Sequence, residues 1–458
     1  MRTGRVIVSV LFVVTALVAG CSSGDEPAGP AVQGAWHGDI QVPDQAIGVG
    51  VSFAENGSAT LDIPLQGVRA ATLKDVRTEP DRIEFTLPDA PGDPKFEGKL
   101  DGERIVGDWV QSGQRFPLTL DRGVIENPAR PQDPQPPYPY RSEDVTYRSG
   151  DLTIAGTLTE PEGSGPFPAI LMITGSGPQD RNEEIAGHRP FLLLADTFTR
   201  AGYAVLRTDD RGVGGTGGVL DDATYADLAA DASAGVAFLR ARPEIDPARI
   251  GLFGHSEGGY LAPLVAAEPG SDIAFAILMA GPSVPGSEVL IEQNKVVLAS
   301  AGAPQDAIDA QVNYLTEWST LLRAGDTAGA AAFSQQHNDS LPEAERAPQA
   351  AVDSLNTPYM TALITYDPKP ALEALRIPVL AFYGGTDQQV IATQNEAPMR
   401  AALAGDPQAT VHTFPGLNHL MQPSADGKPT EYPSIETTID PAVLTYVTDW
   451  LTQHIPPR

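Results

Sequence analysis

The chain has 458 residues, 41% of them apolar and 19% charged, enough for more than one packed core and too apolar for a disordered protein. A formal net charge of -29 excludes nucleic acid as a partner, because the phosphates would be repelled, and a single cysteine excludes an intrachain disulfide or a cysteine-built metal site. Seven histidines without an HExxH spacing supply no metal motif, and no cofactor is expected.

Arg2 and Arg5 precede an apolar run over 6–18 that is too short and too early for a spanning helix. It runs into Val18-Ala19-Gly20-Cys21, which resembles a bacterial lipobox. The expectation is therefore a signal peptide over 1–20, cleavage before Cys21, lipid on its sulfur and a membrane as partner. Residues 21–33, rich in Ser, Gly, Asp, Glu, Pro and Ala, read as a flexible tether.

Over 34–123 the period changes to two. Leu61, Ile63 and Leu65 alternate with polar or small residues, as do Ile83, Phe85 and Leu87, and Phe116, Leu118 and Leu120. Asn56-Gly57, Asp101-Gly102 and Ser112-Gly113 supply the turns. The prediction is a small antiparallel β domain of seven or eight strands, a half-open barrel or a meander, with Trp36 and Trp109 in its core. It would bind a ligand, position the rest of the chain or act as a spacer. The proline-crowded stretch 124–140 reads as a semi-rigid linker.

From 141 to 458 strands and helices alternate, the mark of a mainly parallel sheet with helices on both faces. An antiparallel pair is expected over 145–159 and strands over 167–173, 203–207, 250–253, 273–279, 378–383 and 411–414. Helices are expected over 190–201, 225–242 and 260–267, up to 403, and over 442–454. The gap between the strands ending at 279 and starting at 378 is too long for a crossover, so 284–372 or thereabouts is predicted to be a helical cap that covers the site and excludes water. Within it Trp318, Tyr359 and Tyr366 read as cap core rather than pocket lining.

The chemistry centres on Gly254-His255-Ser256-Glu257-Gly258, a G-x-S-x-G between a buried apolar strand and a helical pattern. A serine in that turn holds its hydroxyl clear of the backbone, and a Cβ at Gly254 or Gly258 would collide with neighbouring chain. A serine hydroxyl needs a base and an orienting acid, which on this fold follow in the order Ser, acid, His. Of the later histidines, His337 falls in the cap, His412 in a strand and His454 at the end of the last helix. His419 falls in a loop past the last strand and is the base by elimination. Asp387 stands at the carboxyl end of the preceding strand, where ligands of open α/β sheets gather, whereas Asp406 precedes the last strand at the opposite edge. The oxyanion donors are expected to be the N–H of Glu257 and one from Thr174–Arg181, Ser176 ahead of Gly177. The Glu257 side chain is not expected to act.

Gly212-Val213-Gly214-Gly215-Thr216-Gly217 fits GxGxxG, but no acidic residue ends a following strand, so dinucleotide binding is not expected. Arg211 is expected to pair with Asp209 or Asp210, or to brace the neighbouring loop.

Five stretches in one order carry a resemblance over some three hundred residues: TGSGPQDR (174–181), LRTDDRGVG (206–214), IGLFGHSEGG (250–259), YGGTDQQV (383–390) and LNHL (417–420). From about residue 141 the chain resembles bacterial α/β-hydrolases of the carboxylesterase and serine-aminopeptidase-like group, some of which carry a preceding β domain. The resemblance implies Ser256 as nucleophile, Asp387 as acid and His419 as base. Thr174 departs from the His-Gly pair of many relatives of the wider fold. The reading is an extracytoplasmic, lipid-anchored serine hydrolase cleaving small carboxylic esters of short to medium acyl chains. The rivals are an aminopeptidase-like peptidase or a thioesterase on the same triad, and a binding lipoprotein with an inactive hydrolase scaffold. For a peptidase, Glu288, Glu292 and Glu317 are the cap carboxylates that would hold an amine. The sequence does not indicate an oligomeric state.

Overall fold

Among the described residues, the period-two stretch forms nine antiparallel strands, one or two more than predicted. They are β1 (Gly34–Val42), β2 (Gln45–Phe53), β3 (Ala59–Ile63), β4 (Val68–Thr72), β5 (Lys74–Glu79), β6 (Arg82–Thr86), β7 (Lys95–Asp101), β8 (Arg104–Gln111) and β9 (Gln114–Arg122). This computed structural model describes residues 32–457 apart from 43–44, 65–67, 89, 91–93, 112, 126–129 and 344–345. The expected signal peptide, Cys21, most of the tether and Leu65 lie outside the described residues.

The sheet order is β4-β3-β2-β1-β9-β8-β7-β6-β5. Its two edge strands are separated in sequence only by Leu73, which is buried, so the sheet has to curl until its edges come near each other. That is a meander rolled into a half-open barrel. The inward residues of the alternation make its core, with Trp36, Phe85, Phe96 and Ile105 shut off from solvent and Trp109 nearly so. The surplus over the predicted strand count is traceable to β4 and β5. β5 reads Lys-Asp-Val-Arg-Thr-Glu and shows no apolar alternation, because an edge strand buries little of itself.

Polar contacts to later parts of the chain hold the proline-rich segment. The Arg130 guanidinium donates to the carbonyls of Ala186, Pro433 and Ile435, Gln132 donates to the Ile439 carbonyl, and Arg189 pairs with Asp133.

The second sheet has eight strands in the order β10-β11-β13-β12-β14-β15-β16-β17. They are β10 (Tyr140–Ser149), β11 (Leu152–Pro161), β12 (Phe167–Ile173), β13 (Ala204–Thr208), β14 (Ile245–His255), β15 (Ala276–Met279), β16 (Val379–Gly384) and β17 (Thr410–Phe414). β10, β11 and β13 pair antiparallel, and every pairing beyond them is parallel. The helices α1 (Pro190–Arg200), α2 (Tyr225–Arg240), α3 (Gly258–Ala266), α10 (Ala392–Ala402) and α11 (Pro441–His454) pack on it. β15 and β16 are buried along their whole length, as central parallel strands covered on both faces must be. Local signals set the helix starts. Thr224 and Asp227 form a reciprocal capping box on α2, and Asp440 caps α11 ahead of Pro441.

Between β15 and β16 the described residues form six α-helices: α4 (Gly286–Ser300), α5 (Gln305–Arg323), α6 (Thr327–Ser340), α7 (Gln349–Ser354), α8 (Pro358–Thr365) and α9 (Lys369–Ala374). α4, α5, α6 and α8 enclose a small core of their own around Trp318. Tyr366 packs instead against Tyr225 of α2 and Tyr260 of α3, which docks the cap onto the sheet's helices. This is an α/β-hydrolase fold carrying a helical insertion. Among the described residues, no helix is long and apolar enough to cross a membrane.

Candidate active site

Ser256 sits between the end of β14 and the start of α3 with φ of +54°, a left-handed conformation unusual for a residue with a side chain. Such backbone costs on the order of 1–3 kcal/mol and persists only where the surroundings enforce it. Here they do. The Ser256 N–H donates to the Met279 carbonyl of β15 at 2.9 Å, and the Ser256 carbonyl accepts from the Gly259 N–H at 2.8 Å. A Cβ on Gly254 would stand 2.0 Å from the Gly258 carbonyl oxygen, and one on Gly258 would stand 2.2 Å from that of Ile173. The turn therefore admits only glycine at those two places.

His419 lies in the loop after β17 and is almost wholly buried. Its Nδ1 meets Asp387 Oδ2 at 2.8 Å. The other carboxylate oxygen of Asp387 accepts from the N–H groups of Gln389 at 2.7 Å and Val390 at 3.1 Å, which fixes the acid just past the end of β16. The His419 loop is held by Asn418, whose Oδ1 accepts from the N–H groups of Leu420 and Gln422. The imidazole of His419 stands 4.7 Å, ring to ring, from that of His255, the residue before Ser256. Residues far apart in sequence are thus gathered at the carboxyl ends of β14, β16 and β17. The rejected histidines stay elsewhere: His337 on Tyr314 in the cap, His412 on Tyr446 and His454 on Trp450.

Glu257 adopts helical backbone angles at the head of α3. Among the described residues, no hydrogen bond engages its N–H or that of Ser176. Both remain available to a developing negative charge. The Gly177 N–H, the second choice from sequence, is instead spent on the Tyr359 hydroxyl at 2.8 Å. That hydroxyl in turn donates to Glu257 Oε2 at 2.6 Å. Burial pushes the Glu257 carboxyl up to about 7. Tyr359, read from sequence as cap core, thus ties the cap to both the elbow and the neighbouring loop.

The Thr174–Arg181 loop is built by the residues around the GxGxxG match. Asp210, held well above the ordinary carboxyl range by desolvation, accepts from the Thr174 hydroxyl at 2.8 Å and the Gln179 N–H at 2.9 Å. Arg181, not Arg211, pairs with Asp209, at 2.6 Å. Arg211 pairs with Asp231 of α2 at 2.6 Å, so the pairing expected from adjacency gives way to one across space. The glycine loop folds on itself, with the N–H groups of Gly212, Val213, Gly215 and Thr216 engaged by Gly217, Asp210, Asp209 and Val213. The cap carboxylates Glu288 and Glu317 are exposed, and Glu292 pairs with Lys295.

The model of the X-Pro dipeptidyl-peptidase (S15) family matches residues 150–412, more than half of the chain. This chain belongs to that family. It is a hydrolase, and the end of β17, the loop that carries His419 and helix α11 extend past the matched span. It is 28% identical over 317 residues to Esterase EstD of Thermotoga maritima, covering 69% of this chain and 68% of EstD. Similar solved structures include the Pyrococcus furiosus esterase Pf2001, at 17% identity and TM-score 0.42 over 72% of this chain and 97% of that one. Est1E of Butyrivibrio proteoclasticus is another, at 15% identity and TM-score 0.41 over 68% and 98%.

Proposed function

We propose that this chain is a serine carboxylesterase. Ser256 Oγ attacks the ester carbonyl while His419 takes its proton, and Asp387 holds the imidazole through Nδ1. The N–H groups of Glu257 and Ser176 receive the oxyanion. His419 returns the proton to the departing alcohol, leaving Ser256 acylated, and water then cleaves that ester by the same route. The observation that carries this reading is the buried 2.8 Å contact between His419 and Asp387, with the His419 ring 4.7 Å from that of His255, the residue before a serine held in left-handed backbone. Esterase EstD, by its name a cleaver of esters, supports the same bond type.

A fluorophosphonate probe should label the wild type and not Ser256→Ala, whose turnover of p-nitrophenyl esters should fall on the order of 10⁶-fold. Equal labelling of the two refutes the assignment. Acetate, butyrate and longer p-nitrophenyl esters then test the expected preference for short to medium acyl chains. The family description favours one other reading, release of an X-Pro dipeptide from an amide. Turnover of an Ala-Pro anilide exceeding that of the best ester would establish it. The reading also places the enzyme outside the cytoplasm on a bacterial membrane, anchored through Cys21.

A further inference from the structure

Beneath the proposed triad lies a second imidazole–carboxylate pair. His255 and Glu183 are both closed off from solvent, and His255 Nδ1 stands 2.9 Å from Glu183 Oε1. The other ring nitrogen, Nε2, stands 3.3 Å from the backbone carbonyl of His419. The same Glu183 oxygen accepts the Gly175 N–H at 2.6 Å, in the loop that carries Ser176. Gly175 is itself pressed against the elbow, since a Cβ there would lie 3.3 Å from the Cβ of Ser256.

The two partners of the His255 ring are a carboxylate and a carbonyl, which only accept. A neutral imidazole has one N–H and would satisfy one of them; the imidazolium satisfies both. Glu183 supplies the balancing charge. Burial alone would lower the His255 pKa, but the adjacent carboxylate lifts it above its ordinary value. Glu183 is placed at some expense, with φ of +51° in a turn whose N–H groups at Asn182 and Glu184 are held by the Asp180 carboxylate.

Resting on the esterase reading above, we infer that the charged His255–Glu183 pair is a positioning device: it locks the oxyanion loop at Gly175 and the base loop at His419 to the residue before the nucleophile. One ring thereby sets the distance between the groups that receive the oxyanion and the group that moves the proton. Among the described residues, neither side chain hydrogen-bonds to the Ser256 hydroxyl or to the His419 ring.

The test uses the full chain, p-nitrophenyl butyrate and fluorophosphonate labelling, with His255→Asn and the isosteric Glu183→Gln. The asparagine keeps a contact toward Glu183 and loses the reach to His419. The glutamine keeps an acceptor for Gly175 and removes the charge that lets both ring nitrogens donate. Each should lower kcat about 10–100-fold per folded molecule, with KM within about twofold and labelling slowed in step, as expected for misplacement of about an ångström. Wild-type kcat in Glu183→Gln, whatever its thermal midpoint, overturns the inference and leaves the esterase reading intact. If His255→Asn does not fold, Glu183→Gln decides alone. A wild type that neither turns over ester nor labels brings down the esterase reading, and this inference with it.

Discussion

Replacing Glu257 by glutamine should remove a pH dependence of stability that the wild type carries. The carboxyl is buried, and its folded-state pKa rises from the ordinary 4.5 to about 7. A group with a higher pKa when folded binds more protons in the native state than in the unfolded chain across that interval. Its contribution is therefore fully present below pH 4.5 and is lost as the pH rises through 7. At 1.36 kcal/mol per pH unit, the loss comes to about 3 kcal/mol. Glutamine keeps the shape and an acceptor for the Tyr359 hydroxyl but does not titrate. Guanidinium unfolding of wild type and Glu257→Gln at pH 4.5 and pH 8 measures the effect. Taking the difference between the two proteins at each pH cancels every titration they share. That difference should swing by about 3 kcal/mol in favour of the glutamine protein at the higher pH. A difference that stays flat would show that Glu257 is ionised throughout and that its surroundings compensate the charge.

Tyr359→Phe removes the donor to Glu257 and the acceptor for Gly177 together, and should destabilise the full chain by about 1–3 kcal/mol in denaturant unfolding. Asp387→Asn should keep the fold but lower kcat on p-nitrophenyl butyrate by about 10⁴-fold, since an amide no longer enforces the productive imidazole tautomer; a kcat near wild type would remove Asp387 from the mechanism. Cys21→Ser should move the protein from the membrane fraction to the soluble fraction when expressed in a bacterial host, and unchanged fractionation would end the lipoprotein reading.

What could be read from the sequence was whatever leaves a local mark. The elbow needs Gly254 and Gly258 at fixed spacing, and central strands such as 276–279 must be apolar on both faces. The order of Ser256, Asp387 and His419 follows the strand ends. The contacts that were missed have no such mark. Tyr359 reaches Gly177 across 182 residues, Arg211 finds Asp231 rather than the adjacent aspartates, and His255 meets Glu183 from 72 residues away. Pairings of buried polar groups are chosen by packing, and neither period nor composition announces them. The one available hint was the combination of histidine and glutamate around Ser256, two ionisable groups in a run otherwise destined for the interior. The strand count fell short for the converse reason, because a solvated edge strand lacks the apolar rhythm by which strands are recognised.

That edge has a consequence for how the protein behaves in a crowd. An open rim of a β-sheet offers unpaired backbone groups to any passing strand. β5 meets that hazard with Lys74, Asp75, Arg77 and Glu79, all exposed, and with a break in register between Lys74 and Arg77, where Asp75 takes a φ of +53°. A second copy approaching this rim would have to bury charges of both signs and match a kinked backbone. The barrel can therefore remain incompletely closed without becoming adhesive, a useful property if many copies share one membrane surface.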